Sequence, residues 1–342
     1  MRKTFISSII FLAAFICLPL SASDKNPVRK VSFEPLEMHF GDSSRTGFPF
    51  SKDPTVIRQG KYYYMYYSVQ AYSKDRKPSP DIPDSWHSGI ARSEDLVNWT
   101  SIGDMVLYDT KGERIWGAVA PCVKKFGGKI HLFYQRGWKG ASNNNNNLWH
   151  AVSDDGLTFR NTSDEPIIVP HTSWSTDRSI DAEVYRVKDK LILLFATRDP
   201  GMVRQMIGMA EAPYGSDYGP DKWTLLSVDG PFLEPEYPWE GKCIEASTVL
   251  KYKGVYYMFY AGSYNHEHQQ IGLATSLDGR HFERYGFDGL VFRSGKPGSW
   301  NYGESGHPGI FRDRDGKVYL FFQGKDSRNG DYTLSVARVL FE

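Results

Sequence analysis

Asp53-Pro54-Thr55-Val56-Ile57, followed by Gly60-Lys61 and then Tyr62-Tyr63-Tyr64-Met65-Tyr66-Tyr67, reads as a short apolar strand, a tight turn and an aromatic strand. The pattern returns as Ala120-Pro-Cys-Val123 with Gly128-Lys-Ile-His-Leu-Phe-Tyr134, and as Asp181-Ala-Glu-Val-Tyr185 with Lys190-Leu-Ile-Leu-Leu-Phe195. It returns again as Glu245-Ala-Ser-Thr-Val249 with Gly254-Val-Tyr-Tyr-Met-Phe-Tyr260, and as His307-Pro-Gly-Ile-Phe311 with Gly316-Lys-Val-Tyr-Leu-Phe-Phe322. The unit starts, 53, 120, 181, 245 and 307, lie 67, 61, 64 and 62 residues apart, so the chain is a repeat array. Each of the first four units carries a third strand ending in a turn and an aromatic: Trp99, Phe159, Trp223 and Phe282. Four short antiparallel strands per unit describe a propeller blade, and five units predict an all-β, five-bladed β-propeller. The fifth unit ends after its third strand, which leaves Val31 to Met38 to supply its outermost strand and cover the open edge.

Composition agrees. Of 342 residues 15% are aromatic, and 32 Gly and 19 Pro supply turns. Lys+Arg 41 against Asp+Glu 40 leaves a formal charge of +1, which argues against nucleic acid as a partner. Arg2 and Lys3, the apolar run Phe5 to Leu20 and the small residues Ser21-Ala22-Ser23 read as an export signal over residues 1–23. The run is too short for a stable membrane anchor, so no membrane insertion is expected. Residues 24–342 then form one exported propeller domain, periplasmic or extracellular. After cleavage only Cys122 and Cys243 remain; with no CxxC spacing they are expected as buried thiols. Nothing in the sequence indicates an oligomeric state.

The first strand of every blade lies against the propeller axis, so one column of these strands should converge on a shared centre. At this level the column reads Asp53, Ala120, Asp181, Glu245 and His307. Three carboxylates and a histidine would repel one another and lose hydration there, which is tolerated mainly where chemistry or a cation requires it. Cleaving a glycosidic bond needs one protonated carboxyl and one ionised carboxylate, and differing environments can divide that labour. A neighbouring Asp181 charge would serve to keep Glu245 protonated. Gly-x-Ser-x-Gly, His-Glu-x-x-His and Walker loops are all missing.

The chain resembles glycoside hydrolase family 43 in Lys52-Asp53-Pro54, Ser93-Glu-Asp-Leu-Val-Asn-Trp99, Ala120-Pro121, Ile180-Asp181, Ile244-Glu245 and Gly306-His307, over residues 48 to the C-terminus. The resemblance implies Asp53 as general base, Asp181 as the carboxylate that positions and tunes the acid, and Glu245 as general acid, with inversion at the anomeric carbon. It also implies that His307 lies near the axis, where it helps to hold a calcium ion or water. The family's second blade usually opens Trp-Ala-Pro, whereas here Val119 precedes Ala120-Pro121 and the nearest tryptophan is Trp116.

Sugars present apolar faces and hydroxyl rims, so candidate substrate groups are Trp86, His87, Trp116, Trp138, Trp174, Tyr264 and Trp300, with Arg198 and His307 as polar partners. Arg198-Asp199-Pro200 looks like the motif of fructan-cleaving propellers but follows the second strand of its blade. The insertion Tyr72 to Trp86, with three prolines, is long enough to wall the site. The expected substrate is an oligosaccharide or polysaccharide carrying arabinofuranosyl, xylosyl or galactosyl linkages of plant or algal origin. The alternatives are an anhydrogalactosidase resembling glycoside hydrolase family 117, a glycoside phosphorylase, and a non-catalytic glycan-binding propeller.

Overall fold

The computed structural model describes residues 28–137, 146–328 and 330–342, so the export signal and Trp138 lie outside the described residues. The five repeats form five sheets. Their innermost strands are Lys52–Gln59, Val119–Phe126, Ile180–Val187, Ile244–Tyr252 and Glu304–Arg312, opening blades one to five. Each is followed outward by antiparallel neighbours, and blade five is completed by Val31–Pro35 pairing with Thr333–Phe341, as the sequence predicts. Blades two and four each gain a strand beyond the expected four: Val106–Tyr108 pairs parallel with Thr158–Asn161, and Leu290–Phe292 pairs with Gln270–Ser276. Closing N-terminus against C-terminus joins the ring by backbone hydrogen bonds and removes a strand edge.

The aromatic second strands follow from what covers them. In Tyr62–Val69, Tyr63, Met65 and Tyr67 enter the cluster shared with blade five, while Tyr64 and Tyr66 enter the one shared with blade two. Successive side chains alternate between faces, so a strand covered on both faces needs an apolar residue at nearly every position. Five such clusters occur, one per blade interface. Both described cysteines are buried free thiols.

Turn chemistry repeats as well. Ser93, Ser153 and Ser276 donate to Asp95, Asp155 and Asp278 at 2.9–3.0 Å and accept the amides two and three residues further on. The third residue of each turn has φ of 70 to 76°; Gly156 and Gly279 adopt this freely, whereas blade one uses Leu96, whose side chain is buried. The insertion between the second and third strands of blade one is pinned at its base by buried Arg45. That guanidinium donates to the Gln70 and Ser85 carbonyls and pairs with Asp104 at 2.8 Å.

Candidate active site

Each innermost strand breaks register near its start, between Lys52 and Thr55, Val119 and Cys122, Ile180 and Glu183, Glu245 and Thr248, and Gly306 and Gly309. At each bulge one residue is left-handed: Asp53 (φ 54), Ala120 (48), Asp181 (52), Ala246 (50) and His307 (43). None is glycine, so each conformation costs about 1–3 kcal/mol, a cost that clusters at functional sites. The sequence column is therefore corrected in blade four, where Ala246 and not Glu245 occupies the equivalent place. Glu245 stands one residue earlier, level with Lys52 and Ile180. A bulge suspends the strict in-out alternation, which lets the earlier side chain reach the same centre.

His307 joins the group. Its Nδ1 is 2.7 Å from Asp53 Oδ1 and its Nε2 is 3.0 Å from Glu245 Oε1. Glu245 is gripped further by the Gln269 amide at 2.8 Å on Oε1 and by the Gln205 amide on Oε2. Asp181 offers an oxygen within 4.8 Å of the Glu245 and His307 donor atoms, and its Oδ2 is buried with no hydrogen-bond partner among the described residues.

These contacts set the charges. Burial works against ionisation of Asp53, but the Lys52 ammonium and His307 outweigh it and hold the carboxyl well below its usual range. Glu245 is lowered in the same way: burial opposes, while the charge and hydrogen bond of His307 prevail. His307 is raised well above an ordinary imidazole despite burial, because Asp53 and Glu245 both favour its cation. Asp181 is pushed up to about 7, first by burial and then by the Glu245 charge. The expectation that Asp181 keeps Glu245 protonated is thus reversed in the free protein. An imidazolium between Asp53 and Glu245 stabilises both anions, and the proton of the Asp181–Glu245 pair rests on Asp181.

Asp181, Glu245 and His307 are the metal-competent cluster among the described residues. They do not fit calcium, which takes six to eight oxygen ligands, because the trio holds two carboxylates and an imidazole whose nitrogens both face carboxylates.

Among the expected substrate groups, Arg198 and Tyr264 lie beside Glu245. Arg198 donates to Gln205 Oε1 at 3.0 Å, orienting the amide that holds Glu245, and sits 5.1 Å over the Tyr264 ring. Trp86 is 44% exposed on the rim and packs edge-on against Phe50, which meets Tyr332. The others are engaged elsewhere. His87 is fully buried, with both ring nitrogens bonded to backbone at Met105 and Ala118. Trp116 is covered by His87 and by Arg114. Trp174 donates to the Ser227 carbonyl, and Trp300 packs on Phe322 in the interface of blades four and five. Sequence reasoning missed Lys52, Gln205 and Gln269. A lone Gln carries no catalytic pattern, although Lys52 was legible as the residue before Asp53.

The match to known proteins decides the family: the model of glycosyl hydrolases family 43 matches residues 48–340. The chain belongs to that family. It is a glycoside hydrolase, and its axial carboxylates stand near the starts of its innermost strands. Among solved structures, a thermostable family-43 glycoside hydrolase is similar at 20% identity and TM-score 0.60, over 89% of this chain and 93% of that one. An endo-1,4-beta-xylanase from Bacteroides thetaiotaomicron is similar at 22% identity and TM-score 0.60, over 90% and 92%. An alpha-L-arabinofuranosidase from Lactobacillus brevis is similar at 19% identity and TM-score 0.58, over 84% and 90%. No curated protein matches the sequence.

Proposed function

We propose that this family-43 protein is an exported, exo-acting, inverting glycosidase that removes arabinofuranosyl, xylosyl or galactosyl units from plant or algal glycans. The observation that carries the reading is the imidazole spacer between Asp53 and Glu245. The ring of His307 stands between the two carboxylates, with Asp53 at Nδ1 and Glu245 at Nε2, which suits the wider spacing of an inverting pair, about 6.5–9.5 Å, better than the retaining spacing of about 5–5.5 Å. Asp53, held ionised, takes the proton of the attacking water. Glu245 protonates the leaving oxygen. The proton it lacks in the free protein lies across its 3.0 Å hydrogen bond to His307 Nε2. Asp181 orients Glu245 and, by holding the one proton of the Asp181–Glu245 pair, spares the centre a third negative charge. The insertion of blade one, long enough to wall a site and pinned at its base by Arg45, suits removal of chain ends. Names of structurally similar proteins, an arabinofuranosidase and a xylanase, support pentose substrates. Arg2, Lys3 and the apolar run behind them support export.

Aryl glycosides and polysaccharides, with products separated by chromatography, identify the sugar, and proton NMR of the first-formed product reads its anomeric configuration. Retained configuration overturns the inverting assignment. Turnover that requires inorganic phosphate establishes the phosphorylase alternative, release of anhydrogalactose establishes the family 117-like one, and binding without turnover establishes the lectin-like one.

A further inference from the structure

The left-handed residues at the axis need something to hold them, and the preceding blade supplies it. The backbone N–H of Asp53 donates to Gln323 Oε1 of blade five at 3.2 Å, and that of Asp181 donates to Gln135 Oε1 of blade two at 3.1 Å. Gln323 is wholly buried and its amide is keyed: Nε2 donates to Glu304 Oε1 at 2.8 Å and to Asn265 Oδ1 at 3.2 Å, so the acceptor end must face Asp53. Glu304 is fixed in turn by Lys325 at 3.5 Å and by the Tyr332 hydroxyl at 3.2 Å.

We propose that Gln323, keyed by Glu304, and Gln135 are positioning residues that hold the carboxylates of Asp53 and Asp181 on the axis by capping their strained backbone N–H groups. The inference rests on the roles given above to Asp53 and Asp181. Releasing either N–H lets the residue relax toward an ordinary strand conformation, which swings its side chain off the centre. A displacement near 1 Å costs on the order of 100-fold in rate. Thr248 provides the comparison: its Oγ1 accepts the Ile310 N–H across a blade interface at 3.1 Å, and Ile310 is neither left-handed nor a carboxylate.

The test compares Gln323→Met, Gln135→Met, Gln135→Glu and Thr248→Val with the full-length enzyme on its best aryl glycoside, after melting curves establish that each is folded. Both Met variants should lose at least 10-fold in kcat with KM within about threefold. Gln135→Glu, which keeps the acceptor oxygen, should recover most of the loss, and Thr248→Val should lower the melting temperature with kcat within about twofold. Unchanged kcat in the Met variants, or an equal kcat loss in Thr248→Val, overturns the proposal. Asp53→Asn separates its failure from failure of the catalytic reading: if that variant stays active, the base assignment is wrong. Crystal structures of the two Met variants test the proposal without turnover, since Asp53 and Asp181 retaining positive φ with unmoved carboxyls would also overturn it.

Discussion

Replacing His307 with glutamine should destabilise the protein in a strongly pH-dependent way. The imidazolium lies 2.7 Å from Asp53 and 3.0 Å from Glu245, with the three side chains 6%, 14% and 5% exposed, so solvent screens little of the interaction. Removing one partner from a buried ion pair costs about 3–5 kcal/mol, because a charge is left behind; here two anions are left. The signs give the pH window. His307 is raised when folded, so its contribution is complete below the unfolded value of about 6.5 and fades as pH rises through the elevated folded one. Asp53 and Glu245 are lowered when folded, so theirs is complete above the unfolded values of about 4 and fades as pH falls toward the folded ones. The deficit of His307→Gln should therefore be greatest near pH 5–6, at about 3–5 kcal/mol, and shrink toward pH 3 and toward strongly alkaline pH. Urea unfolding of wild type and variant across that series measures it. A deficit independent of pH would refute the bridged ion triad.

Asp181→Asn should abolish turnover of natural glycosides yet stabilise the fold at pH 8. A carboxyl raised to about 7 when folded penalises folding as pH climbs from about 4, by up to about 4 kcal/mol, and the amide escapes that penalty; lower stability at pH 8 by calorimetry would contradict the assignment. Glu245→Gln should lose far more rate on substrates with poor leaving groups than on activated aryl glycosides, which need less protonation, and equal losses measured on the two classes would argue against the acid role. Dialysis against EDTA should leave activity and melting temperature unchanged, since Asp181, Glu245 and His307 do not make a calcium site; loss of both, restored by added calcium, would show otherwise.

The propeller was legible because every blade repeats the same physical requirement. Both faces of a blade are covered, so strands such as Tyr62–Val69 must be apolar at nearly every position, and a period near 64 residues survives in sequence even where identities do not. Asp53, Asp181, Glu245 and His307 were legible because charged groups stand out at the start of otherwise apolar strands. Their exact frame was not, since a bulge adds one residue without any residue type that announces it. Glu245 could be placed in the column of Asp53 and His307 until backbone pairing showed Ala246 there. The protonation pattern also depends on tertiary structure, because it turns on which carboxylate the His307 ring reaches, and that is set by blades one, four and five meeting at the axis. The aromatic candidates were indistinguishable in sequence, since Trp86 on the rim and Trp300 in a blade interface are the same residue type. Local sequence thus determined the strands and the kinds of chemical groups at their mouths, because pattern and residue type are local properties. Which groups touch, and hence which carry a proton, was decided only by ring closure, because the contacts join residues up to 270 positions apart.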